Sequence, residues 1–186
     1  MRCFIAIPLP KDTHQELSKI QFQLKETGAD VRWIKSDNIH LTLKFLGDVE
    51  ETKTKIIGQK LKEVVNKSTS FESEIEKLGT FPSISNPRVV WIGMSKNEDK
   101  IIKLQQRIEE ILEPLGFERE LRSFRPHLTL GRVRGKKNIQ KLVEKIKSLS
   151  LLQLKPITVD RIVLFQSILK PTGAEYTALD EFKFCG

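Results

Sequence analysis

An order of predicted secondary structure that occurs twice constrains this 186-residue chain more than any other feature. Each copy begins with a short apolar strand, continues with a helix whose apolar residues recur every three or four positions, and ends with two more strands. The last strand begins at His40 in one copy, 38 positions after Arg2, and at His127 in the other, 39 positions after Arg88. The chain therefore carries an internal repeat. The elements expected are strands Arg2–Ile7, Val31–Ile34 and His40–Leu43 with a helix over Leu17, Ile20 and Leu24, then strands Val89–Ile92, Phe117–Leu121 and His127–Leu130 with a helix over Ile101, Leu104, Ile108 and Ile111.

The second parts of the two copies also correspond. An amphipathic helix in each copy leads into further strands, which makes the copies residues 1–86 and 87–170, followed by a C-terminal segment, 171–186. Two copies of roughly 85 residues are too few for a solenoid, so we expect two lobes related by pseudo-twofold symmetry. The helices are predicted over Ile57, Leu61 and Val64 and over Ile139, Leu142 and Ile146, and the strands from Phe71, Leu151 and Arg161.

The predicted class is α+β. Short returns between strands favour antiparallel sheets with helices on their outer sides, and symmetry places a groove between the lobes. The cluster of proline, serine and asparagine at Phe81–Pro87 predicts the join between the copies, because neither a helix nor a central strand continues through it. A turn at Lys170–Gly173 and strand-forming residues over Tyr176–Leu179, with Phe182 beyond them, predict one more strand.

Charge and cysteine content narrow the function classes. The net charge of +8 favours an anionic partner. Cys3 and Cys185 lie at opposite ends of the chain and are expected to be free thiols, which excludes a disulfide framework. No apolar run approaches the length that spans a membrane, and Met1–Pro8 is too short for a signal sequence. A cytoplasmic protein without a membrane partner is expected.

Each copy carries a His-Leu-Thr-Leu sequence on a predicted strand. Alternate side chains of a strand share a face, so His40 and Thr42 point to one side, as do His127 and Thr129 in the second copy. The leucines between them point to the core. One His-x-Thr sequence is weak evidence, but two at equivalent positions of a repeat predict that two imidazoles and two hydroxyls face one groove.

Such a set suits cleavage of a phosphodiester. An imidazole titrates near pH 7, so one can deprotonate the attacking oxygen while the other protonates the leaving ribose oxygen. The hydroxyls of Thr42 and Thr129 can donate to phosphate oxygens as charge builds there. No cofactor is expected, and no metal site, because the cysteines are terminal and neither motif places a carboxylate at ligand spacing.

These residues resemble the two-histidine phosphoesterase superfamily, and within it the LigT-like RNA 2',3'-cyclic phosphodiesterases. The resemblance rests on Asn38–Gly47 and Phe124–Val133, which carry the two motifs, and extends to Arg2–Ile7 and Pro87–Gly93. It implies hydrolysis of an RNA terminal 2',3'-cyclic phosphate to a 2'-phosphate, with His40 as the proton donor to O3' and His127 as the proton acceptor from water. It also implies RNA with a 2'-5' linkage, such as joined tRNA halves, as a second substrate, because enzymes like this were first described as 2'-5' RNA ligases.

Other residues have two interpretations each. Arg132 is expected to hold a phosphate, and Arg125 contacts either substrate or solvent. Phe45 is either a base-stacking ring or a core residue, since strict alternation puts it on the face opposite His40. The basic turn of Arg134, Lys136 and Lys137 is either solvated or in contact with RNA. His14 is expected at the surface, and Trp33 and Trp91 in the core.

Two rival functions stay open at the level of sequence. A non-catalytic RNA-binding module would use aromatic residues on an exposed sheet and would need no paired histidines. A related phosphodiesterase could instead open a small cyclic nucleotide or trim an RNA 3' end. Nucleotides such as ATP or GTP are also candidates for the groove, and a monomer is expected because one chain supplies both histidines.

Overall fold

The structure, a computed structural model, describes residues 1–171 and 173–186. The first repeat folds in the predicted order, with its helices where the apolar spacing placed them. Its elements are β1 (Arg2–Ile7), α1 (Lys11–Lys25), β2 (Val31–Trp33), β3 (Leu41–Asp48), α2 (Glu51–Val65), β4 (Phe71–Ser73) and β5 (Ile75–Ser83).

The second repeat departs from the predicted order at two strands. Phe117–Leu121 forms no strand: three successive charged side chains are exposed there, and the carbonyl of Glu118 accepts a hydrogen bond from the Lys44 ammonium. The strand expected from Leu151 begins only at Ile157, because Leu151 lies in a turn with its side chain exposed. The elements are β6 (Asn86–Met94), α3 (Glu98–Leu112), β7 (His127–Val133), α4 (Ile139–Ser148), β8 (Ile157–Val159), β9 (Arg161–Lys170) and β10 (Gly173–Lys183).

Two four-stranded antiparallel sheets form the lobes. One has the order β10-β9-β1-β3 and the other β2-β7-β6-β5, and β4 pairs with β8 in a small third sheet. In each large sheet two strands of one repeat lie side by side, β1 with β3 or β6 with β7, and a strand of the other repeat, β9 or β5, pairs with β1 or β6. The two repeats are therefore interlocked.

The predicted join is a tight hairpin. The strands continue through the prolines, contrary to the prediction, because Pro82 lies on the edge strand β5 and pairs with Pro87, the second residue of β6. The C-terminal strand is confirmed as β10, whereas the turn predicted before it includes Thr172, which lies outside the described residues.

The helices bury their apolar faces against the sheets in one core. Leu17, Ile20 and Leu24 of α1 are buried, as are Ile57, Leu61 and Val64 of α2. In α3, Ile111 is only half-buried, whereas the other three predicted positions are buried. Each fully buried leucine or isoleucine contributes roughly 1.5–3 kcal/mol to the free energy of folding. The packing of the helices against the sheets therefore holds the strands that carry the site in place.

Candidate active site

Both His-x-Thr sequences lie at the start of a strand, with the histidine and the threonine on the strand face opposite the core. His40 is the residue before β3 and His127 is the first residue of β7. The two histidines and Thr42 and Thr129 are half-buried. The leucines that alternate with them are fully buried on the other face: Leu41, Leu43, Leu128 and Leu130.

A β-bulge follows each motif and breaks the strict alternation. Ile5 pairs with Lys44 and Ala6 with Thr42, which leaves Leu43 as an extra residue on β3. Leu43 and Lys44 therefore both point to the core, and Phe45 turns to the groove face. Phe45 is 70% exposed there and Lys44 is buried, so the interpretation of Phe45 as a core residue is wrong.

The second motif has the same irregularity. Val90 pairs with Gly131 and Trp91 with Thr129, so Leu130 is the extra residue on β7. Gly131 is buried and Arg132 is exposed. Phe45 and Arg132 thus occupy equivalent places, five residues after each histidine, on the groove face. An aromatic ring at one and a guanidinium at the other make the two halves of the groove chemically different.

His40 lies in a cluster of aromatic rings drawn from three strands. Its imidazole stacks on Phe4 at 4.6 Å between ring centroids and meets the edge of Tyr176 at 5.2 Å. Phe165 is stacked against Phe4 at 5.2 Å and against His40 at 6.0 Å between ring centroids. The sequence analysis missed these three residues, because Phe165 and Tyr176 belong to β9 and β10, which reach β1 only through long-range pairing.

His127 is oriented by its own backbone. Its Nδ1 lies 2.6 Å from the carbonyl oxygen of Arg125, which can only accept, so Nδ1 carries the proton and Nε2 is left to act as a base. The ring edge of Phe81 packs against it at 5.0 Å. Trp91, 6.4 Å away, lies on the same groove face and is half-buried, so the prediction that it packs in the core is wrong; Trp33 does pack against the core.

Burial favours the neutral form of both imidazoles in the free protein. Burial lowers the pKa of His40 from its usual 6.5 to about 4, against the opposing effect of a hydrogen bond with the backbone of Asn38. Burial also lowers the pKa of His127; its bond to the Arg125 backbone opposes this, and the charge of Arg132 adds to it. Asn38 and Arg125 each precede their histidine by two residues, so the backbone acts on the two pKa values from equivalent positions.

His14 is not the surface residue that was expected. It is half-buried on α1, and its Nδ1 lies 2.7 Å from the carbonyl of Ser36, in the turn that leads to His40. Its proximity adds to the lowering of the pKa of His40. His14 therefore holds the turn that positions the first imidazole.

Arginines surround the groove near Tyr176. Burial raises the pKa of Tyr176, while the charges of Arg132, Arg2 and Arg32 lower it, so the positive charge of these three side chains reaches the phenol. Arg32 pairs directly with Arg132 across β2 and β7. All three arginines are exposed, so this end of the groove presents positive charge to an anionic ligand.

The remaining predicted residues lie outside the groove. The side chains of Arg134, Lys136 and Lys137 are exposed in the turn after β7, where the backbone of Arg134 donates to Asp30. Cys3 is a buried free thiol, with its pKa raised mainly by burial, and Cys185 an exposed one.

In the described part of the chain, no three histidine, cysteine or acidic side chains cluster closely enough to hold a metal ion. Over the same residues, no helix is long and apolar enough to cross a membrane.

Two repeated halves that each carry a histidine and a threonine on the open face of an antiparallel sheet are the arrangement of a two-histidine phosphoesterase. Comparison with known proteins supports that class. The family model described as LigT like Phosphoesterase matches the chain twice, over residues 7–91 and 92–176. The chain belongs to this family.

Relatives and solved structures agree with the assignment. The chain is 35% identical to an RNA 2',3'-cyclic phosphodiesterase of Methanocaldococcus jannaschii, over 98% of this chain and 100% of that protein. It is 35% identical to one of Thermotoga maritima, over 100% and 97%. The crystal structure of E. coli LigT with 3'-AMP superposes with a TM-score of 0.79 at 23% identity, covering 100% of this chain and 98% of that one.

Proposed function

We propose that this protein hydrolyses the terminal 2',3'-cyclic phosphate of RNA to a 2'-phosphomonoester. The observation that carries the proposal is the pair of histidines at equivalent positions of the two repeats, each with its threonine two residues later on the same strand face. The relatives that share 35% of its sequence bear the name RNA 2',3'-cyclic phosphodiesterase. The exposed arginines around Tyr176 fit the negative charge of such a substrate.

In the proposed reaction, His127 accepts a proton from water and His40 donates one to the leaving O3'. A neutral His127 whose Nε2 is free is ready to act as a base. His40 must first take up a proton, which its pKa of about 4 disfavours in the free protein. The phosphate anion raises that pKa when it binds, because an opposite charge stabilises the imidazolium. Protonation of His40 is thus coupled to the arrival of substrate.

The threonines and Arg132 stabilise the charge that develops on phosphorus oxygens. Thr42 and Thr129 stand two residues after the histidines on the same face and can donate to the non-bridging oxygens. Arg132 follows on β7 and can pair with the phosphate through two N–H groups. Phe45, exposed beside Phe4 at 6.2 Å between ring centroids, offers a stacking surface for the terminal base.

The finer substrates follow the same chemistry with a different nucleophile. Attack of a 5'-hydroxyl in place of water would give a 2'-5' linkage, so joined tRNA halves are included in the proposal as a side activity. We place the protein in the cytoplasm. We also propose that it is a monomer, since both histidines come from one chain. Opening of a small cyclic nucleotide remains the alternative, and RNA length dependence separates the two.

The test is turnover of a short RNA that ends in a 2',3'-cyclic phosphate, with EDTA present. His40→Ala and His127→Ala should each lower kcat by at least about 100-fold, the usual contribution of a general acid or base. The product should carry its phosphate on O2'. Phe45→Ala should raise KM, and Phe22→Ala, which removes a ring that is 66% exposed on α1, is the matched control. Turnover that survives both histidine substitutions would contradict the proposal.

A further inference from the structure

A cavity of about 300 Å³ lies beside His127. Its position follows from the strand register: Trp91 pairs with Thr129, and Gly93 pairs with His127. The row of groove-facing residues on β6 therefore runs past the catalytic histidine into the cavity. Phe81, Trp91, Gly93, Glu98, Arg125 and His127 are among the residues that line it.

Trp91 forms a flat floor in this cavity because two glycines leave room for it. A Cβ atom at Gly79 would lie 2.4–2.9 Å from three atoms of the indole, so the ring lies directly on the backbone of β5. A Cβ at Gly93 would lie 3.4 Å from the same ring. One face of the indole is covered by the sheet, and Trp91 also lines the cavity. Phe81 packs against the indole at 4.9 Å between ring centroids, and the part of the indole that lines the cavity offers a stacking surface for a nucleobase.

The charge of the cavity favours a base over a phosphate. Its lining includes the carboxylates Glu76 and Glu98 as well as the cations Lys77 and Arg125. The arginines Arg2, Arg32 and Arg132, by contrast, surround the part of the groove near Tyr176. A phosphate is drawn to that part, whereas carboxylates accept hydrogen bonds from the amino and imino groups of bases.

We propose that the cavity beside His127 is a second nucleoside subsite, in which a base stacks on Trp91. This rests on the proposed function, which places the ribose that carries the cyclic phosphate on the His40 side, next to Phe45. The attacking oxygen then enters from the His127 side. The subsite holds the nucleoside whose oxygen occupies that position, as the acceptor in ligation or as the leaving nucleoside of a 2'-5' linkage.

The atoms balance without a further reactant. In ligation the P–O3' bond breaks and a P–O5' bond forms, while His127 takes the proton from the 5'-hydroxyl and His40 gives one to O3'. In cleavage of a 2'-5' linkage the same protons move in the opposite direction. In both directions, a nucleoside in the cavity has its 5' oxygen next to His127.

The subsite is tested by fluorescence in Trp33→Phe protein, in which Trp91 is the only tryptophan. Adenosine and guanosine should quench Trp91 saturably, ribose should not, and Phe45→Ala should leave the quenching in place. Absence of saturable quenching, equal quenching by ribose, or its loss in Phe45→Ala would each overturn the inference.

Calorimetric affinities of proteins that also carry Trp33→Phe supply the second measurement. Trp91→Leu should bind the nucleosides at least about fivefold more weakly than Trp91→Phe, which keeps an aromatic face, since stacking on a ring contributes at least about 1 kcal/mol. Equal affinities would contradict the role of the indole. Cyclic-phosphate hydrolysis is measured on the same samples: its absence refutes the proposed function, whereas hydrolysis without nucleoside binding refutes the subsite alone.

Discussion

The two histidines occupy equivalent positions in the repeats but differ in their surroundings. The backbone carbonyl of Arg125, two residues before His127, lies 2.6 Å from Nδ1 and fixes the orientation of that ring. His40 is enclosed by Phe4, Phe165 and Tyr176, and its pKa falls to about 4 because the charged form is poorly solvated there. His127 is less enclosed and lies near Arg132. A proton donor with so low a pKa in the free protein makes activity depend on pH in a specific way.

The value of kcat/KM should fall about tenfold per pH unit above about pH 6.5, because it reports the free enzyme, in which His40 is protonated only in a small and decreasing fraction. The basic limb of kcat should lie at higher pH, since bound phosphate raises the pKa of His40. Steady-state kinetics on a cyclic-phosphate substrate from about pH 5 to 9 measures both limbs. Coincident limbs for kcat and kcat/KM would show that substrate does not shift this proton.

At the scale of elements, the bulges in β3 and β7 decide which side chains reach the groove. The apolar periods of 2 and 3.6 residues were enough to predict β1, the helices and both motifs. They could not predict the bulge at Leu43, because Leu43 and Lys44 are compatible with regular alternation, and what holds Lys44 inside lies far away in sequence. Its ammonium pairs with Glu109 on α3, and Gln105 also bonds that carboxylate. Phe45 reaches the groove as a consequence.

Lys44→Met should lower the free energy of unfolding by about 3–5 kcal/mol, because it leaves the carboxylate of Glu109 buried without its partner. Urea denaturation measures the loss, and adding Glu109→Leu should recover much of it. Lys103→Met is the matched control, since its pair with Asp99 is exposed and contributes less than about 1 kcal/mol. A loss in Lys44→Met no larger than in the control would show that the pair does not hold the bulge.

At the scale of the whole molecule, the lobes do not coincide with the repeats. β9 pairs with β1, β5 with β6, β2 with β7 and β4 with β8, and each of these pairs joins the two halves of the sequence. The sequence predicted the repeat correctly but not this exchange, because strand pairing between distant segments leaves no local pattern. The exchange also brings Phe165 and Tyr176 to His40, and Phe81 to His127.

An interlocked fold should unfold as one unit, and neither repeat should fold alone. If the chain is divided in the hairpin turn after Ile84, the N-terminal fragment lacks β9 beside β1 and leaves β5 unpaired, and the C-terminal fragment has the converse defects. Each fragment would expose the apolar faces that the other covers. We expect each to be unstructured by circular dichroism, and an equimolar mixture to regain the spectrum and a single cooperative transition. A fragment that folds cooperatively by itself would show that one sheet is stable without the strand it borrows, and the two repeats would then be separate domains.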